Sequence, residues 1–179
     1  DAGGETETVA VNLRETVEDI VAMTAPLMRE RSVTVELALD LVPPVRCERS
    51  LAHQLVLNLL LNANDALNET PRDRRRIRLQ LRDDRRAVRL IVSDSGPGID
   101  PTILPHLFDP FVTTKPSGHA GLGLAASRAS IAHFGGRIEG RNDPAGGAVF
   151  EVALAVAPDQ PADAARSPEH AVDLKDRHV

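Results

Sequence analysis

The stretch that decides the fold is "AVRLIVSDSGPGID", Ala87 to Asp100. Its first half, "AVRLIVS", is strand-like. Its second half sets two glycines and a proline between two aspartates, with Asp94 at the strand's end. Gly96 and Gly98 let the backbone approach a flat ligand and supply unusual φ values, and Pro97 stiffens the turn between them. Asp94 is placed to accept a hydrogen bond from an exocyclic amine of the kind adenine carries. An Asp-initiated tight turn with no ligand is the plainer alternative. Two familiar phosphate grips are excluded. No glycine is followed by Lys and then Ser or Thr, so there is no P-loop. Pro101 stands where a dinucleotide fingerprint starting at Gly96 needs its third glycine.

Upstream, "RIRLQLR" reads as a strand joined to Ala87–Ser93 through the polar turn at Asp83-Asp84, forming a hairpin. The basic run from Arg72 to Arg86 has no interleaved aromatics for stacking single-stranded nucleic acid, so it reads as a solvated hairpin face. Before it, Asn12 and Glu15 resemble a capping box. Leu13, Val17, Ile20, Val21, Leu27 and Met28 then recur at helical spacing, which predicts a helix over about 13–31. Val33 to Leu39 alternates as a strand. Pro43-Pro44 break the chain before a second helix over about 50–67. The first eleven residues read as a loose lead-in. Downstream, a mobile stretch is expected from Pro101 to Gly121, then a helix from Leu122 to Phe134 ended by Gly135-Gly136. "RIEGR" and "AVFEVALAV" pair across "NDPAGG" as a closing hairpin. From Pro158 to Val179 the chain is Pro, Ala and charge without periodicity, a disordered tail or linker. The expected domain is 12–157, an α/β two-layer sandwich with helices over one face of a mixed, largely antiparallel sheet.

The 179 residues suffice for one domain with a real core. With 42% apolar residues but only 2% aromatics, and no Trp or Tyr, that core must be aliphatic. One cysteine, Cys47, cannot close an internal disulfide and suits a reducing compartment. No signal-like or membrane-spanning segment is read, and a net charge of −5 argues against a general nucleic-acid binder. These point to a cytoplasmic domain with no membrane contact of its own.

The second helix, "HQLVLNLLLNANDAL", carries Gln54, Asn58, Asn62 and Asp65 within an arc of about 80°. This is either a solvent stripe or a ligand site. Solvent faces usually carry Lys, Glu and Arg, whereas asparagines are poor helix formers. Two amides one turn apart offer neutral oxygens to a hard cation already shared with phosphates, as Mg²⁺ is commonly held. Gly118, Gly121 and Gly123 lead into the third helix, whose free N–H groups form an anion site, and Lys115 stands just upstream. A flexible loop before a helix start is the plain alternative.

In this order, an Asn-rich helix, a DxGxG loop after a strand, a Phe-containing segment and a glycine-rich lid, the motifs resemble the catalytic ATP-binding domain of bacterial sensor histidine kinases. That family shares a superfamily with gyrase B, Hsp90 and MutL. "NLLLNANDAL" is similar to the N box, "DSGPGI" to the first glycine box, "LFDPFVTTK" to the F box and "GLGL" to the second glycine box. The resemblance spans about 11–156 and implies a Bergerat-type fold that binds ATP with Mg²⁺ under a mobile lid. It implies Asn62 as the metal ligand, Asn58 as its support, and Asp94 at the adenine with Gly96 and Gly98 beside the base. It puts Asp65, Ile99, Leu122 and Leu124 among the nucleotide contacts, with Lys115, Gly118, Gly121 and Gly123 at the phosphates. Asn58, Asn62 and Lys115 are the residues it makes catalytic.

Three departures qualify the likeness. His119 stands at the first glycine place of the second glycine box, with Gly118 one residue earlier. Hydrolytic relatives carry Glu where this chain has Asn58, and an amide has no basic site for a water proton, so transfer is favoured over hydrolysis. No phosphoacceptor box is present: His53 lies inside the second helix, and His106, His119, His133, His170 and His178 have unsuitable surroundings. The expected function is therefore transfer of the ATP γ-phosphoryl group to a histidine on a dimerisation domain outside this chain, in cis or in trans, with a response regulator downstream. The rival is a non-catalytic ATP/ADP-sensing module of the same fold; a hydrolytic ATPase is a weaker third. Phe108 and Phe111 are either core anchors or contacts for the acceptor helices.

Overall fold

The computed structural model describes residues 8–110, 112 and 122–158, with Leu122 described in its backbone only. The first helix, α1 (Leu13–Glu30), starts where the capping signal puts it. Asn12 Oδ1 accepts from the amides of Arg14 and Glu15 at 3.1 and 3.3 Å, and its Nδ2 donates to Glu15 Oε1 at 3.0 Å. Two donors left over at the helix start are thereby satisfied. Leu13, Val17, Ile20 and Met28 face inward. Buried Thr24 satisfies its own hydroxyl by donating to the Ile20 carbonyl at 2.8 Å. At the other end Ser32, at φ 56, takes the left-handed position usually left to glycine. The bonds Val33 N to Met28 O and Ser32 N to Arg29 O then close the helix.

The second helix, α2 (Arg49–Ala66), buries Leu51, Leu55, Leu59, Leu60 and Ala63. The third, α3 (Leu122–His133), ends as the glycine pair predicts. Gly135 sits at φ 74, Gly136 N donates to Ile131 O at 2.9 Å, and Gly135 N donates to Ala132 O at 3.0 Å. This is the same closure as at α1, here with the residue type that adopts it without strain.

Seven strands are present among the described residues: β1 (Val9–Val11), β2 (Thr34–Leu39), β3 (Val45–Cys47), β4 (Arg76–Asp83), β5 (Ala87–Asp94), β6 (Arg137–Asn142) and β7 (Ala148–Ala155). Five form one sheet in the order β2-β4-β5-β7-β6. Only β2 and β4 run parallel; the other three pairs are antiparallel. The three central strands send alternate residues to the helices. Ile77, Leu79 and Leu81 of β4, Val88, Leu90 and Val92 of β5, and Val152 and Leu154 of β7 are buried there. This aliphatic layer is the core. The opposite face is polar: Arg82 pairs with Asp40 at 2.8 Å, and Arg89 bridges Asp84 and Glu151. The arginine-rich run is thus the sheet's solvated face, as its composition implied.

Two expectations need correction. The loose lead-in holds a strand: β1 pairs antiparallel with β3, a strand the pattern had also missed, and Val11 and Val45 are core residues. The folded unit therefore extends upstream to Val9. Second, the stretch expected to be mobile from Pro101 is turned and bonded in its first half. Asp100 Oδ1 accepts from the amide and hydroxyl of Thr102, and a 3-10 turn follows over Leu104–His106. Residues 111 and 113–121, which carry the rest of that expectation, and the tail from 159 onward lie outside the described residues. Among the described residues no helix is long and apolar enough to cross a membrane.

Candidate functional site

The polar stripe of α2 does not face open water along its whole length. Gln54 is exposed, but Asn58, Asn62 and Asp65 are half-buried. Glycines from the two motif segments approach this helix at points two turns apart. A Cβ on Gly96 would meet the Ala66 carbonyl oxygen at 2.7 Å, and one on Gly123 would stand 3.8 Å from Asn58 Nδ2. Ala66 and Asn58 are eight residues apart, or about 12 Å along the axis. The stripe therefore runs between the "DSGPGI" loop at one end and the start of α3 at the other, with Asn62 and Asp65 between them.

Asp94 closes β5 on its buried face, only 8% exposed. Its Oδ1 accepts from Gly96 N at 2.9 Å and from Ala148 N at 3.4 Å. Burial pushes its carboxyl above the ordinary value, while those two N–H groups pull the other way. Both bonds fall on one oxygen, and among the described residues nothing bonds Oδ2. A desolvated carboxylate with an acceptor oxygen in hand is suited to a neutral N–H donor such as an aromatic amine. Gly96 has to be bare, because any side chain there would strike both the Ala66 carbonyl and Asp94 Oδ1. Gly98 has φ 84 and would carry its Cβ to 2.8 Å from Asn142 Oδ1.

Ile99 and Leu124 are half-buried and pack against the core, so each has an anchoring part whatever else it touches. At the start of α3, Ser127 Oγ donates to the Gly123 carbonyl at 2.7 Å, which ties the first turn down. Lys115, Gly118, His119, Gly121 and Phe111 lie outside the described residues, as does the Leu122 side chain. Phe108 is half-buried against the core, with the Arg128 guanidinium 5.6 Å above its ring. That favours the anchoring alternative for Phe108.

The composition of the stripe fits a magnesium site of the shared kind. Among the described residues no three His, Cys, Asp or Glu side chains stand close enough to hold a metal by themselves. What α2 offers is amide oxygens on one half-buried face, which suits a cation taking its other ligands from phosphate and water.

The motif reading missed Ser95 within the loop, and Asn142 and Gly147 on its other side. Asn142 Oδ1 accepts from Ile99 N at 2.6 Å, and Asn142 Nδ2 donates to Ile99 O at 2.8 Å. Ser95 Oγ accepts from Arg76 N at 2.8 Å and donates to Arg74 O at 2.6 Å. Gly147, at φ 87, lies so close to the backbone of Asp94 that a Cβ would overlap the Asp94 carbonyl oxygen. No spacing rule announces these contacts. Those of Asn142 and Gly147 follow from β7 pairing with β5, which seats the β6–β7 turn against the glycine loop, and those of Ser95 from β4 pairing with β5.

The family described as histidine kinase-, DNA gyrase B-, and HSP90-like ATPase matches residues 47–158. The C4-dicarboxylate transport sensor protein DctS of Rhodobacter capsulatus is 34% identical over 148 residues, which cover 82% of this chain and 22% of DctS. The chain thus spans about a fifth of that relative's length. The nucleotide-free catalytic domain of histidine kinase ThkA superposes with a TM-score of 0.75 at 29% identity, covering 83% of this chain and 95% of that domain. A structure of ThkA in complex with the response regulator protein TrrA gives a TM-score of 0.71 at 26% identity, over 84% of this chain and 42% of that one.

Proposed function

This chain belongs to the histidine kinase-, DNA gyrase B- and HSP90-like ATPase family, as an ATP-binding domain of the sensor histidine kinase type, and from that premise we propose that it transfers the ATP γ-phosphoryl group to a histidine outside the described fold. The observation that carries the proposal is the arrangement along α2. A buried carboxylate, Asp94, stands at one end beside a bare loop, and the start of α3 meets Asn58 at the other. In this reading Asp94 accepts the adenine amino group, and Gly96 and Gly98 leave room for the ring, with Ile99 along its edge. The phosphates then lie along the stripe toward α3. Its first-turn N–H groups, at Gly123 and Leu124, would receive negative charge. Gly118, Gly121, Leu122 and Lys115 would complete the phosphate contacts.

Phosphoryl transfer asks for alignment and charge neutralisation more than for covalent help. Asn62, supported by Asn58 and Asp65, would hold Mg²⁺ together with phosphate oxygens. Bound there, Mg²⁺ supplies neutralisation of charge on the transferring group. The acceptor imidazole is itself the nucleophile, which suits a site without one. Asn58 sharpens the choice between acceptors: its amide cannot take a proton from water, so hydrolysis lacks the base it needs. A response regulator is the natural receiver of the phosphoryl group, by analogy with the ThkA complex.

The test is direct. The chain is incubated with γ-labelled ATP, Mg²⁺ and a separate histidine-bearing dimerisation domain. Label on the acceptor's histidine is the expected result. Nucleotide binding with no labelled acceptor and no phosphate release would instead indicate a sensing module.

A further inference from the structure

The turn between β6 and β7 is built as a stiff bracket. Asp143 N donates to Gly147 O at 3.0 Å, Gly146 N to Asp143 O at 2.9 Å, and Ala145 N to Asp143 Oδ1 at 2.8 Å. Its two flanks grip the glycine loop: Asn142 takes both backbone groups of Ile99, and Ala148 N reaches Asp94. We propose that Asn142 is the positioning residue of the base-binding loop, setting where Gly96 to Ile99 stand relative to Asp94. The proposal rests on the adenine-site reading above and names a residue outside its four motifs.

The geometry supports more than a passing contact. A single side-chain amide pairs with the N–H and the C=O of the same residue, as a neighbouring strand would. It therefore fixes the peptide's orientation as well as its distance. Gly98 is what permits this approach, since a Cβ there would press on Asn142 Oδ1. At the loop's other end, Ser95 is already pinned between Arg74 and Arg76. Pro97 restricts the middle. With Asn142 in place the loop is held at both ends; without it, the half that faces the base is anchored, among the described residues, through the packing of Ile99. The bonds to Ile99 are exposed. Water can replace them, so their loss should weigh lightly on folding and heavily on a preformed ligand surface.

The experiment is titration calorimetry of ADP, ATP and adenosine, with and without Mg²⁺, on the wild-type chain, Asn142→Ala and Asn142→Asp. Hydrogen exchange at Gly98 and Ile99 is followed in parallel. Asn142→Ala should weaken all three ligands by the same factor, about tenfold. The gain from adding Mg²⁺ should be unchanged, and the two amides should exchange faster. Asn142→Asp keeps the acceptor for Ile99 N–H but sets a second carboxylate oxygen against the Ile99 carbonyl, and should lose at least as much. A factor common to adenosine and ATP is the signature of the base end; a role in general stability would change melting and leave the affinity of folded protein intact. Wild-type affinity in both variants, a loss confined to the triphosphate, or failure of both variants to fold would each overturn the proposal. A wild-type chain that binds no adenine ligand would overturn the site reading and this proposal with it. Wild-type binding alongside unaffected variants would overturn this one alone.

Discussion

Asp84 and Asp94 stand at the two ends of the β5 hairpin and begin turns of the same local kind, yet their environments are opposite. Asp84 Oδ1 accepts from the amides of Arg86 and Ala87, and its Oδ2 accepts from Arg89 Nε at 2.6 Å. The Arg89 guanidinium, with those amides, holds its carboxyl below the usual carboxylate range. Asp94 also accepts two backbone amides, but burial dominates and raises it. The turn chemistry alone does not distinguish a structural aspartate from a binding one. What distinguishes them is whether the protein supplies the countercharge. At Asp84 it does. At Asp94 burial outweighs the N–H groups, which among the described residues fall on one oxygen only, and the other oxygen is left to accept from the ligand proposed above.

The comparison can be broken most violently through Gly147. None of the described glycines stands against Asp84, whereas Gly147 lies against the Asp94 backbone at a positive φ of 87°. Gly147→Ala should cost about 3 kcal/mol or more of stability, because strain and overlap act together. Chemical denaturation would show it, and a wild-type midpoint would mean that the turn gives way freely.

Next in size is the ligand contact itself. Asp94→Asn should weaken ATP about 10- to 100-fold, the loss expected for a charge-assisted bond whose acceptor becomes an amide. Calorimetry that found no change would remove adenine from Asp94. A smaller and more diagnostic effect concerns pH without nucleotide. Asp94's folded value is raised, so its contribution to stability is present in acid and lost as pH climbs from about 3.8 toward that raised value. Asp94→Asn should therefore melt above wild type at neutral pH, with the margin closing as pH falls. Asp84→Asn should do the reverse and least of all. Asp84's value is lowered, so its contribution is present above 3.8 and lost as pH falls through the lowered value. Its variant should melt marginally below wild type at neutral pH and level with it in acid. Parallel melting curves for the two variants across pH would erase the distinction drawn between them.

Much of this was legible because it is local. The span of α1 follows from six apolar positions and one capping asparagine, and the end of α3 from two glycines. The hairpins follow from alternation broken by turn residues. The strands β1 and β3 were not legible: three residues are too few to show a period, and each is held by a partner more than thirty positions away. Asp94, Asn58 and Asn62 drew attention because their residue types are odd for their places. Asn142 is ordinary for the end of a strand, and its importance appears only when β7 lies beside β5. Even the motif residues were legible singly. That Gly123 comes to Asn58 while Gly96 comes to Ala66 is a property of how α3 and the loop after β5 pack on α2.

The seating of Ala148 against Asp94 has a consequence for how the site comes into being. The two residues are 54 positions apart, and Asn142 and Ile99 are 43 apart. The β4–β5 hairpin can close early from neighbouring residues, but contacts of such long separation carry a larger loop-closure cost and tend to form late. During synthesis, a chain halted between Asp100 and Ala148 would hold every residue of the "DSGPGI" loop and still lack the complete bracket that shapes it. Nucleotide affinity should then appear abruptly with the emergence of β7. From that moment ATP itself would stabilise the finished fold over every partial one.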